Sequence, residues 1–143
     1  MKKNHILALM TFIMAFLGCQ NTVKSQTPKE VQEAFQAKYP GENDPDWEID
    51  SNGNYESHFK IDGVKYRADF SPEGEWIETE TNIDKKDLPE PIRTAIKSNY
   101  GNEKITEIEK VDSASKGLFY DVEFKRKGKN MDVEYRASGE VVK

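Results

Sequence analysis

"FKIDGVKYRADFSPEGEW" (Phe59–Trp76) and "FKRKGKNMDVEYRASGEV" (Phe124–Val141) are two versions of one pattern, set 65 residues apart without a gap. In each, an aromatic leads into a glycine turn (Gly63, Gly128), and apolar and polar residues then alternate. A Gly-Glu pair (Gly74-Glu75, Gly139-Glu140) turns the chain again. Alternation with period two, punctuated by glycine, is the signature of half-buried antiparallel strands. Their repetition predicts two copies of one β-meander.

A second echo lies upstream of each. In "TPKEVQEAFQAKYPG" Thr27 reads as an N-cap, Pro28 as the first helical residue and Glu30 as the partner in a capping box. Val31, Ala34, Phe35 and Lys38/Tyr39 form one helical stripe, and Pro40-Gly41 stops it. "LPEPIRTAIKSNYGN" repeats this at an offset of 61, matching Val31 with Ile92, Phe35 with Ile96 and Tyr39 with Tyr100. The offset grows to 65 because the loop around Ser113–Gly117 is four residues longer in the second copy. A length change confined to a loop is what a tandem repeat tolerates.

Each copy therefore reads as helix followed by four strands. In the first, "WEID" precedes an Asn52-Gly53 turn, and Tyr55, Ser57, Phe59 and Ile61 share a face. Asp62-Gly63 is a type I′ signal, Val64, Tyr66, Ala68 and Phe70 share the next face, and "WIETET" closes the unit. In the second, "ITEIEKV" is followed by Leu118, Tyr120, Val122 and Phe124 inward, then Met131, Val133 and Tyr135, then "VVK". A unit of about 55 residues makes a small core. The expectation is an α+β fold: a tandem duplication of an α-β-β-β-β unit (27–82 and 88–143) whose strands join one antiparallel sheet, with both helices on one face.

The N-terminus is of another character. Met1-Lys2-Lys3-Asn4 precedes an apolar run from Ile6 to Gly18, too short to span a bilayer and suited to a signal peptide over residues 1–18. "AFLGC" resembles a bacterial lipobox, with Phe16 departing from its usual Leu or Val, and makes Cys19 the candidate lipid-attachment residue. The other reading is ordinary cleavage. Residues 19–26 are a polar tether, leaving 27–143 as the folded domain. A lone cysteine cannot form an internal disulfide, so packing alone must hold the fold. Loss of Lys2 and Lys3 with the leader moves the net charge from −5 to −7. Such a chain lacks the basic footprint of a nucleic-acid binder.

Catalytic and metal chemistry find little support in the linear pattern. His58 is the only histidine after residue 18, so the His/Cys ligand set of a zinc site is missing from the sequence. No serine stands in a nucleophile elbow, and Cys19 sits at the extreme end of the mature chain. "DSNGNYE" (Asp50–Glu56) places its glycine fourth and Ile61 twelfth, which suits a turn and not a calcium loop. The expectation is a non-enzymatic protein with no cofactor and no metal.

The repeated helix ending in an aromatic ("FQAKYPG", "IKSNYGN") and the repeated glycine hairpins resemble the PepSY-like family, whose members include β-lactamase-inhibitor-like domains. The likeness spans Pro28 to Val142. It implies a curved sheet whose concave face and hairpin loop grip a partner protein. Disulfide pairs of the inhibitors are missing, and no motif aligns with their inhibitory loop, so no inhibitory residue is carried over.

Alternation assigns His58, Lys60, Lys65, Arg67 and Asp69 to the polar face in the first copy. It assigns Phe119, Asp121, Glu123, Lys125, Asp132 and Glu134 to that face in the second. The first half reads as mixed to basic and the second as acidic, with Phe119 and Trp76 as apolar anchors. The expected function is an exported binding or regulatory module in the periplasm or on the outer membrane. Its partner would be an envelope protein or peptide, and its only membrane contact an N-terminal lipid. The alternative is a carrier of a small ligand or peptide, held in a groove between sheet and helices.

Overall fold

The computed structural model describes residues 27–142. The leader, Cys19 and the tether lie outside the described residues. The order is α1 (Lys29–Lys38), β1 (Asp46–Ile49), β2 (Tyr55–Ile61), β3 (Val64–Phe70), β4 (Trp76–Asn82), a 3-10 turn (Lys85–Asp87), α2 (Glu90–Tyr100), β5 (Ile105–Ser113), β6 (Gly117–Phe124) and β7 (Met131–Tyr135). All seven strands join one antiparallel sheet in chain order, with two helices, as the α+β expectation requires.

Local details differ from the sequence reading in three places. Pro28 and Pro89 occupy the cap positions themselves, with no side-chain cap, so Thr27 is not the N-cap. The Asn52-Gly53 turn is wider than a two-residue hairpin. Ile49 pairs with Tyr55, and the Asp50 carboxylate accepts hydrogen bonds from the Asn52 and Asn54 backbone N–H groups at 2.7 and 2.9 Å. The final "VVK" strand shrinks to one bridge, Tyr135 to Val141, with the Val142 N–H on the Glu134 carbonyl. By contrast, Asp62-Gly63 does form the tight turn, with φ of 51° and 81° between the paired Ile61 and Val64.

One packing contact recurs in both halves. A Cβ on Gly74 would stand 2.7 Å from the Glu30 carbonyl oxygen, and one on Gly139 would stand 2.8 Å from that of Pro91. Each glycine lets a turn press against the first turn of its own helix. The packing below follows the same division. Val31 and Phe35 of α1 bury against Phe59, Ala68 and Phe70, while Ile92 and Ile96 of α2 bury against Ile108, Tyr120, Val122, Phe124, Val133 and Tyr135. Each buried side chain of this size contributes about 1.5–3 kcal/mol. Phe35 is the hub of the first cluster, with edge contacts to Trp47, Phe59 and Phe70.

These are two cores, not one. On the helix side of the sheet's middle, β4 and β5 present Thr79, Thr81, Lys110 and Asp112, which pair Thr79 to Asp112 and Thr81 to Lys110. No apolar residue there joins one core to the other. The result is a groove of about 290 Å³ that also meets Tyr39, Tyr66 and Leu118. Leu118 keeps the inward parity expected of it yet is 44% exposed, because it falls in this gap.

Candidate functional site

The helix-free face of the sheet is the candidate site, and strand register builds it. Successive rungs read Glu48–Glu56–Asp69–Glu78–Ser113, then Asp46–His58–Arg67–Glu80–Val111–Phe119. The next joins Lys60 with Lys65, and another joins Asn82–Glu109–Asp121–Glu134. The last is Glu107–Glu123–Asp132. Twelve carboxylates thus share the strand face with three lysine or arginine side chains and one histidine.

The register brings the residues chosen from alternation onto this face except Lys125, which lies just past the end of β6 and pairs with no strand, and it requires one correction to their charge balance. The first half is not mixed to basic. Asp46 and Glu48 on β1 and Glu78 and Glu80 on β4 flank the Lys60–Lys65–Arg67 strip, so acids outnumber bases there too. Arg67 is spent within the fold, its guanidinium contacting Glu80 and lying 3.6 Å from Glu56 Oε2. Lys60 and Lys65 remain exposed at the β2–β3 hairpin, as does His58, whose Nε2 is 2.7 Å from Glu56 Oε1.

Phe119 is the second correction. It lies on the helix-free face, as its parity requires, but only 4% of it is exposed. Its cross-strand neighbour Val111 is buried beside it, and the Lys116 ammonium sits 5.1 Å above its ring while bridging to Glu134 at 2.5 Å. Arg136 donates to the Lys116 and Leu118 carbonyls at 2.6 and 3.0 Å, holding that loop in place. Phe119 and Val111 form a small apolar seal and offer no anchor to a partner. Trp76 is not on this face at all. It packs at the edge of the α1 core, with the Lys38 ammonium 3.3 Å over its ring and its indole N–H donating to Thr79 Oγ1 at 2.9 Å.

Burial, with like charges crowded beside it, shows in the titration of the face. Burial lifts Asp69 and Asp121 from 3.8 to about 6. At Asp121, Asp132 and Glu134 push further the same way and Lys116 only partly opposes them. At Asp69, Arg67 opposes the rise while Glu56 and Glu78 add to it. Glu109, between Asn82 and Asp121 on its rung, is raised as well, chiefly by burial. One oxygen of Asp69 and one of Asp121 are buried without a hydrogen-bond partner among the described residues. Directly opposed carboxylates destabilise a sheet. Among the described residues the exposed large apolar side chains, Ile49, Val64, Leu118 and Val141, belong to strand ends, the central groove or the edge bridge, not to the middle of this face. What it presents is charge.

Asp46, Glu48, Glu78, Glu80, Glu107, Glu109 and Val111 also belong to this face and were missed in the sequence. Their periodicity shows which side each strand turns, but only register says which side chains become neighbours.

Comparison with known proteins bears on the fold. A family model described as "Putative beta-lactamase-inhibitor-like, PepSY-like" matches residues 53–143. No curated protein matches the sequence. Among solved structures, a DUF2874 family protein of Bacteroides ovatus superimposes with a TM-score of 0.72 at 22% identity, covering 82% of this chain and 86% of its own. A BLIP-like protein of Bacteroides fragilis gives 0.70 at 21%, covering 82% and 84%. A protein of Bacteroides eggerthii described as "putative periplasmic" gives 0.71 at 19%, covering 82% and 87%. Among the described residues no helix is long and apolar enough to cross a membrane.

Proposed function

The chain belongs to the PepSY-like, beta-lactamase-inhibitor-like family, and from that premise we propose that it is a non-enzymatic binding module of the cell envelope that recognises a protein or peptide through its helix-free face. The observation that carries this reading is the row of uncompensated carboxylates on a face with no apolar anchor. Such a surface favours a cationic partner, gives fast electrostatically steered encounter, and weakens with salt. The inhibitor-like fold supports a binding role; the partner's identity is left to experiment.

Export and anchoring are part of the proposal. The leader and "AFLGC" support a mature chain outside the cytoplasm, tethered by a lipid on Cys19, and the periplasmic description of a structural neighbour accords with this. Labelling with a palmitate analogue should be lost in Cys19→Ala, and label retained in that variant would sink the anchor.

The face itself is tested by capture from envelope extract with wild-type protein and with Asp121→Lys/Asp132→Lys. The same partner should bind wild type at low salt, release on raising the salt, and fail to bind the reversed variant. Identical captured sets from both proteins would refute the face. A second reading, carriage of a small ligand, is favoured by the groove over Thr79, Thr81, Lys110 and Asp112. Leu118→Trp should block it while leaving capture on the opposite face intact.

A further inference from the structure

One corner of the helix-free face has a composition found nowhere else on it. Glu48 of β1 stands directly across from Glu56 of β2, and His58 follows two residues later on the same side. One donor atom from each of the three lies within 4.8 Å of the others. We propose that Glu48, Glu56 and His58 form a binding site for a divalent transition-metal ion of the zinc type.

The chemistry of the donors selects the ion. An imidazole nitrogen with two carboxylate oxygens is a borderline set, suited to zinc, cobalt or nickel; magnesium and calcium prefer oxygen alone, and the missing thiolates disfavour copper(I). Two carboxylates and a neutral imidazole carry a charge of −2, which a dication cancels. Three protein ligands with open remaining positions are the pattern of accessible zinc sites. Here exposure supplies the opening, since 43% of the His58 side chain is accessible.

The geometry needs only a small adjustment. Donors at about 2.0–2.2 Å from a tetrahedral zinc stand about 3.4 Å from one another. The His58–Glu56 contact, now 2.7 Å, would open slightly and the other separations, none above 4.8 Å, would close to this value, both within the reach of side-chain rotation at exposed strand positions. His58 would exchange its contact with Glu56 for the metal. The opposed Glu48–Glu56 pair, a repulsive cross-strand arrangement, would gain a shared cation. The nearest alternative cation, Arg67, is 3.6 Å from Glu56 and is already engaged by Glu80.

The sequence hid this site because Glu48 and His58 are brought together only by the β1–β2 register. It is independent of the binding reading, because it requires no partner. The experiment is a titration of Zn²⁺ alone into metal-free protein at pH 7.5, followed by the His58 imidazole resonances and by calorimetry. Wild type should bind one equivalent saturably at this site, shifting His58. His58→Ala and His58→Gln should each weaken that event at least tenfold, as should Glu48→Gln, while Asp132→Asn on the same face leaves it unchanged. The substituted positions are exposed strand residues, and circular dichroism checks that each variant is folded. Unchanged His58 resonances in wild type, equal affinity in any of the three ligand variants, or equal loss in Asp132→Asn would overturn the site.

Discussion

Replacing Asp121 by asparagine should make the protein more stable at neutral pH, a prediction that follows from the three-carboxylate rung Glu109–Asp121–Glu134. Asp121 is half-buried, one of its oxygens is unpartnered, and its pKa is lifted from 3.8 to about 6. A shift of about two pKa units corresponds to about 3 kcal/mol if it acts in full. Solvent screening of a half-buried group reduces this to about 1–1.5 kcal/mol. The sign follows from proton binding. Between about pH 4 and 6 the folded state holds the Asp121 proton more firmly than the unfolded chain, so stability falls as pH rises through this window. Above it the penalty is complete. The gain from Asp121→Asn should therefore be greatest near pH 7.5, about halve by pH 5, and vanish near pH 4. Urea denaturation of both proteins at the three pH values measures this, and thermal melts at pH 7.5 should differ by about 3–8 °C. A variant that is neutral or destabilised at pH 7.5, or whose gain is the same at pH 4 and 7.5, would refute the argument.

Other outcomes follow from particular contacts. Phe119→Ala should cost about 3 kcal/mol or more in a denaturation experiment, because the ring is buried in the seal with Val111, whereas Leu118→Ala in the open groove should cost less than about 1 kcal/mol. Gly139→Ala should destabilise by about 2 kcal/mol or more, since its Cβ would strike the Pro91 carbonyl and its φ is +87°. Gly53→Ala, with positive φ but open space around it, should cost only about 1 kcal/mol. Equal costs at the two glycines would show that the helix contact contributes nothing.

The internal echo of Phe59–Trp76 in Phe124–Val141 made most of the fold legible, because period-two alternation and glycine placement are local properties of the chain. Val31, Phe35, Ile92 and Ile96 were readable as core for the same reason, through helical spacing. Exposure was less readable than direction. Phe119 and Leu118 each lie on the side that parity assigns, yet the buried one was expected to be open and the open one buried. The reasons are tertiary. Lys116 closes over Phe119 from a loop that Arg136 holds in place, and Leu118 sits where neither helix reaches. Charge balance failed on similar grounds, since β1 and β4 contribute Asp46, Glu48, Glu78 and Glu80 only once register is known. The shortened last strand could not be seen, because "VVK" has the composition of a strand whether or not it is fully paired.

Stability and the proposed recognition pull in opposite directions on this sheet. Its helix side carries the two apolar clusters that hold the molecule together, and neither depends on the acids opposite. The helix-free side holds Asp69 and Asp121 above their ordinary pKa and leaves an oxygen of each without a partner, so it subtracts from stability at neutral pH. A solvated sheet face would ordinarily alternate charges across its rungs, and the Lys60–Lys65 and Glu109–Asp121–Glu134 rungs do the reverse. Cations brought by a partner would offset that repulsion and lower the carboxyl pKa values, so binding would release protons and tighten as pH rises through about 6. The same residues therefore account for the stability that Asp121→Asn recovers and for the affinity it should lose, which ties the two measurements to one physical cause.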